Sequence, residues 1–124
     1  MKRIINSKNA PAAVGPYCQA VEAAGTLYIS GQLPINPATG TVPQGVEAQS
    51  EQCLRNIEAI LTEAGYSKGD VVKSTVLLND MGDFAAMNGV YGKFYAEPYP
   101  ARVAYQVAKL PLGVMVEIET IAVK

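Results

Sequence analysis

One domain that mixes short strands with two helices is what this sequence predicts, and three observations carry the prediction. The chain has 124 residues, 49% of them hydrophobic, enough to bury one core and too few for two ordinary domains. Apolar residues recur at helical spacing in two stretches. Short β-prone runs bounded by glycine and proline occupy much of the remainder. No linker, repeat or low-complexity tract divides residues 1–124.

The runs Tyr17–Ala24 and Thr26–Ser30, separated by Gly25, predict paired strands at a tight turn. Between Gly31 and Gly40 the breakers Pro34 and Pro37 forbid regular structure, so this segment reads as a shaped loop of the kind that lines sites. Val46, Cys53, Leu54, Ile57, Ile60, Leu61 and Ala64 then predict a helix, with Glu47, Glu51, Arg55 and Glu58 on its wet face and Gly65 as its stop. Cys53, on the apolar face, reads as an inert packing thiol. Val71–Leu78 predicts a central strand, and Asp83 the cap of a second helix whose apolar stripe is Phe84, Met87, Tyr91 and Phe94. Asn88, at the edge of that stripe, is either a hydrogen-bonding residue of the fold or a ligand contact. The structural role is favoured, because a buried amide must find partners in any case.

Chemistry concentrates in the last two strands. Alternation places Val103, Tyr105 and Val107 on one face of the first, with Arg102, Ala104, Gln106 and Ala108 on the other. In the second, Val116, Ile118, Thr120 and Ala122 oppose Glu117, Glu119, Ile121 and Val123. If the helices cover the apolar faces, Arg102 and Glu117 both point away from the core, onto a half-polar face that needs solvent, a ligand or another subunit. Arg102 follows Pro100-Ala101 and leads a small, apolar stretch. Its guanidinium suits a carboxylate held by two parallel hydrogen bonds, and a nearby glutamate could position a water or move a proton. The alternative is a surface or interface salt bridge. In a simple hairpin of these strands, Glu117 would lie about 15 Å from Arg102 at strand rise. A shared site therefore requires that the strands not be hairpin neighbours, or that a second chain bring one of the residues.

Composition narrows the chemistry by subtraction. There is no histidine, so acid–base work falls to carboxylates, tyrosine, lysine, backbone or water. Cys18 and Cys53 are too few for a disulfide framework and too far apart for a CxxC site, which fits a reducing, cytoplasmic setting. A net charge of −1 with scattered lysines argues against nucleic acid as partner, and no run approaches a membrane span.

Several ordered motifs, taken together, resemble the RidA (YjgF/YER057c/UK114) family. They are Asn9-Ala10-Pro11, Gly15-Pro16-Tyr17, Gln19-Ala20, Ser30-Gly31-Gln32 followed by Pro34, the Asn88-to-Tyr95 segment, Pro100-Ala101-Arg102 and Val116-Glu117-Ile118. The similarity runs essentially from end to end. It implies an α+β, chorismate-mutase-like fold, a mixed six-stranded sheet with two helices packed on one face, assembled as a homotrimer with ligands in the clefts between subunits. The implied activity is deamination of 2-imino and 2-enamino acids, of the 2-aminoacrylate and 2-aminocrotonate type, to 2-keto acids and ammonia. Carried over by position, Arg102 would clamp the substrate carboxylate and Glu117 would position the water. Tyr17, Ser30 and Asn88 would shape the site, and backbone groups near Gly31 and Ala104 would complete it. No cofactor and no metal is implied. Two other classes stay open: a 2-keto acid binding or sensor protein without turnover, and the ribonuclease or translation-inhibitor role also associated with the family. The chain departs from the family pattern at Val103 and Ala104, where many members carry serine or threonine and then cysteine, and in the link from Glu97 to Pro100. These changes bear on substrate preference and on any thiol-dependent regulation.

Overall fold

Helix α1 (Val46–Ala64) forms where the apolar spacing predicts it, and it buries Cys53, Leu54, Ile57, Ile60 and Leu61 almost completely. The structure, a computed structural model, describes residues 1–124. α1 ends in a Schellman motif: Gly65 adopts the left-handed conformation at φ 82°, its N–H donates to Thr62 O, and the Tyr66 N–H reaches Leu61 O at 2.8 Å. The next two carbonyls are taken by side chains remote in sequence. Arg3 Nη2 donates to Ala64 O at 2.9 Å and Lys124 Nζ to Gly65 O at 2.7 Å, setting two cations at the negative end of the helix dipole. Glu22 in turn holds Arg3 at 2.9 Å, and its other oxygen accepts from the Tyr66 hydroxyl at 2.7 Å.

Six strands complete the fold: β1 (Arg3–Ile5), β2 (Ala20–Ala23), β3 (Thr26–Gln32), β4 (Val71–Leu78), β5 (Ala101–Gln106) and β6 (Val116–Val123). They join one mixed sheet in the order β1-β2-β3-β6-β4-β5. Every pair is antiparallel except β4 and β5, which the helix α2 (Phe84–Phe94) connects, as a parallel crossover requires. Both helices lie on one face. There Leu27, Ile29, Val76, Leu78, Val116 and Ile118 meet the apolar side of α1 and Met87 and Tyr91 of α2 in a single core. The opposite face is open and largely apolar, with Tyr28, Val103, Tyr105 and Val123 exposed along it.

The architecture agrees with the α+β expectation, and several local expectations are corrected. β3 runs on through Gly31 and Gln32, with its register to β6 shifting between Ile29 and Gln32, so the irregular loop begins only at Leu33. The bulge absorbs the glycine that pattern reading takes as a strand end. β2 starts at Ala20, which leaves Tyr17 in a bend before it. Asp83 occupies the N-cap position of α2 but makes no side-chain cap bond. Asp80 caps the preceding turn instead, accepting from the Gly82 N–H at 2.8 Å.

The hydrogen bonds from Arg3 and then from Tyr66 hold the Glu22 carboxyl below the usual carboxylate range. A lowered folded pKa contributes stability that is present above the unfolded pKa and is lost as pH falls through the folded one. Glu22→Gln is therefore expected to lower the melting temperature at neutral pH, while parent and variant melt alike in strong acid. Thermal melts across pH test this, and an equal deficit at every pH would contradict it.

Candidate active site

Glu117 lies on β6, whose alternation sends Val116, Ile118 and Thr120 into the core and Glu117 to the open face. Its carboxylate rests against the backbone of Gly31 so closely that a Cβ at residue 31 would collide with it. Glycine is needed here for close approach and not for an unusual φ. The β3 bulge presents this stretch of backbone to Glu117 and leaves Ser30 beside it, where the Ser30 hydroxyl donates to Cys18 O at 2.6 Å. Together with Tyr17, Gln19, Gln32 and Glu119, these residues line a cavity of about 470 Å³. Glu117 is half-buried with no cation paired to it, and burial first, then the negative charge of Glu119, raise its carboxyl above the usual range. A raised folded pKa makes the charged form costly, so the stability associated with Glu117 declines as pH rises through that value. A carboxylate of this kind is a stronger base than a solvated one.

Buried amides hold the walls of this cavity. Gln19, 3% exposed, accepts from the Ser7 N–H and donates to Ser7 O, Ala10 O and Pro11 O, which fixes the loop carrying Pro11. Asn56 on α1 donates to Leu33 O and Ile35 O, both at 3.0 Å, and accepts from Gln52 at 2.9 Å. Gln49 donates to Pro43 O and accepts from the Met115 N–H. Reading the sequence by hydrophobic stripe misses Asn56 and Gln49. The signal that could find them is a pair of amides turned toward the buried side of an otherwise apolar helix face.

Arg102 lies on the other side of the sheet. The parallel register pairs it with Ser74, whose side chain faces the helices, so Arg102 points toward α2 and not away from the core as alternation suggests. The sequence pattern takes Val103, Tyr105 and Val107 for the core-facing set. On edge strand β5, Val103 and Tyr105 instead lie exposed on the open face, 44% and 47% accessible, and small Ala104 packs toward the core. The Arg102 guanidinium stands over the rings of Tyr91 and Phe84 and makes no ion pair within the chain. With Asn88, Tyr91, Gly92, Tyr99 and Pro100 it lines a second cavity of about 410 Å³. Asn88 is half-buried at that cavity and makes no side-chain hydrogen bond within the chain, contrary to the structural role favoured for it.

The candidate residues thus fall into two separate cavities of the chain. Tyr17, Ser30, Gly31 and Glu117 come together in one, and Asn88 and Arg102 in the other, with Ala104 adjoining on β5. β4 separates β6 from β5, so the two strands are not hairpin neighbours. Even so, Arg102 and Glu117 project from opposite faces and cannot meet within one chain. No group of three or more histidine, cysteine, aspartate or glutamate side chains is placed to hold a metal ion. Cys53 is fully buried, and burial followed by the charge of Glu117 raises its thiol well above the ordinary range. No helix is long and apolar enough to cross a membrane.

Residues 7–124 match the family model described as Endoribonuclease L-PSP. The chain is 54% identical over 125 residues to a 2-iminobutanoate/2-iminopropanoate deaminase from Capra hircus, covering all of this chain and 91% of that protein. It superposes on the crystal structure of RidA from the Antarctic bacterium Psychrobacter sp. with a TM-score of 0.96 and 51% identity, over 98% of this chain and 99% of the other. A crystal structure of Escherichia coli TdcF with bound serine matches with a TM-score of 0.95 and 45% identity, over 98% of both chains.

The contact between Gly31 and Glu117 makes a paired prediction. Gly31→Ala forces the carboxylate or the bulge to move and is expected to cost about 1–3 kcal/mol, as overpacking does. Glu117→Ala in the same chain removes the clashing group and should restore most of that loss. Denaturant unfolding of both single variants and the double variant measures the coupling, and simple additivity would contradict it.

Proposed function

We propose that this chain, which belongs to the Endoribonuclease L-PSP (YjgF/RidA) family, is a deaminase that hydrolyses reactive 2-imino and 2-enamino acids to 2-keto acids and ammonia in clefts between the subunits of a homotrimer. The observation that carries the proposal is the separation of an unpaired, half-buried guanidinium from an unpaired, half-buried carboxylate on opposite faces of one sheet. Such half-sites become one site when a neighbouring copy brings its Arg102 to the Glu117 cavity. The open sheet face, with Tyr28, Val103, Tyr105 and Val123 exposed, is the surface on which the copies would pack. The deaminase named among the relatives and the serine bound by TdcF support a small substrate with a carboxylate.

In this reading Arg102 takes the substrate carboxylate by two parallel hydrogen bonds, and Asn88 shapes the cavity beside it. The enamine first becomes its imine tautomer. Glu117 accepts a proton from a water as the water oxygen bonds to the imine carbon, and passes that proton to the nitrogen as the C=N double bond opens, giving a neutral carbinolamine. The carboxylate then takes the proton of the carbinolamine hydroxyl and delivers it to the amino group, and as the C=O bond forms the C–N bond breaks and ammonia leaves with the keto acid. Tyr17, Ser30 and the backbone at Gly31 form the wall on the Glu117 side, and backbone at Ala104 the wall on the Arg102 side. Each step needs positioning and one proton carrier, which suits a chain without histidine.

The test is to generate 2-aminoacrylate and 2-aminocrotonate in situ with a dehydratase and to follow keto-acid release. Acceleration by the parent protein is expected; saturable keto-acid binding without acceleration would favour the sensor reading. Arg102→Ala should lower hydrolysis by more than about a hundredfold, since small misplacement is costly to an orientation-driven step, and Arg102→Lys should recover only part. Glu117→Gln should retain keto-acid binding and lose turnover. Because Glu117 must be ionised to accept the proton, and its carboxyl lies above the usual range, parent activity should fall as pH drops through that raised value. Unfolding and refolding a mixture of the Arg102→Ala and Glu117→Gln chains should restore activity in about a quarter of the clefts, because random assembly of a closed ring pairs intact Arg102 with a neighbour's intact Glu117 at that frequency. Failure of the mixture to regain activity, with trimers present, would contradict a cleft built from Arg102 of one chain and Glu117 of its neighbour.

A further inference from the structure

We propose that Phe84 and Tyr91 form an aromatic bracket that positions Arg102 for an anionic ligand, a role that rests on the reading of Arg102 as the carboxylate anchor. The two residues are seven apart on α2, so two helical turns bring them to one side of the helix. The guanidinium carbon lies 4.8 Å from the centroid of the Tyr91 ring and 5.5 Å from that of Phe84, within range of the attraction between a cation and an aromatic face.

What the chain withholds from Arg102 matters as much. Its ion pairs join Arg3 to Glu22, Arg55 to Glu51 and Lys68 to Glu58, and none reaches Arg102. A carboxylate partner would hold the side chain by occupying the N–H donors through which a ligand carboxylate must bind. A ring face attracts the cation without accepting those donors, so the side chain is placed while its N–H groups stay open to the cavity. Tyr91 is the firmer support. It is 4% exposed and packs against Tyr95 with ring centroids 4.9 Å apart, whereas Phe84 is half-buried. The apolar stripe of α2 therefore divides its work, with Met87 entering the core while Phe84 and Tyr91 lie under the guanidinium.

The experiment titrates 2-oxobutanoate, a stable keto acid, into the folded parent and variants by calorimetry. Arg102→Ala is expected to abolish binding. Phe84→Leu and Tyr91→Leu should each weaken it about tenfold, equivalent to ~1.4 kcal/mol. Tyr91→Phe, which keeps the ring face, should recover most of what Tyr91→Leu loses. Ile60→Val, a core change on the other helix, should leave binding as it was, which separates positioning from general destabilisation. If Tyr91→Leu fails to fold, Phe84→Leu decides the matter. Parent-like binding by the folded leucine variants, with Arg102→Ala still unable to bind, overturns the bracket and leaves the anchor standing. Unchanged binding by Arg102→Ala overturns both.

Discussion

A half-buried carboxylate and a half-buried guanidinium, kept apart by the thickness of one sheet, set the terms for everything else in this molecule. Register separates them as well: Arg102 pairs with Ser74 of β4, and Ser74 with Thr120, three residues along β6 from Glu117, so the two groups have no route to an ion pair within the chain. Separation leaves each without a counter-charge, with the cost visible in the raised carboxyl of Glu117. Such a cost is retained where a ligand or a neighbouring copy makes use of it.

The scaffold meets that demand with buried amides and close backbone contacts in place of more charge. Gln19, in the bend before β2, and Asn56 on α1 bind loops through side-chain bonds to backbone carbonyls, giving otherwise irregular segments fixed positions. Leaving a buried carbonyl unpaired costs about 1–3 kcal/mol, so each amide makes alternative loop positions expensive. The Gly31 contact works in the same sense. By packing the bulge of β3 against the carboxylate, it leaves Glu117 little room to turn elsewhere.

Much of this is legible in the sequence, for reasons that differ from residue to residue. α1 is readable because its apolar stripe is long and Gly65 ends it with an identifiable motif. β4 and β6 are readable because interior strands bury a regular alternation. β5 misleads, since it is an edge strand whose exposed side carries the larger apolar residues, and the rule that such residues face the core fails there. Arg102 stands out in the sequence because it leads a small, apolar stretch, yet alternation puts it on the wrong face. Asn88 reads as borderline, but sequence does not show that the helix leaves its amide without a bond. Strand β1, three residues long, carries too little pattern to register.

The order of strands has a consequence for how the chain comes to be folded. β6, the last of these six strands in chain order, lies inside the sheet between β3 and β4. Until it emerges, β1 to β3 on one side and β4 with β5 on the other have no shared hydrogen bonds, and the apolar side of α1 has no continuous floor. Domains generally complete as units during synthesis, and contacts distant in sequence must wait for the chain that makes them. β6 also carries Glu117, so its carboxylate reaches Gly31 in the same event that seals the sheet. A nascent chain therefore passes from lacking a Glu117 cavity to having one in the step that closes the sheet.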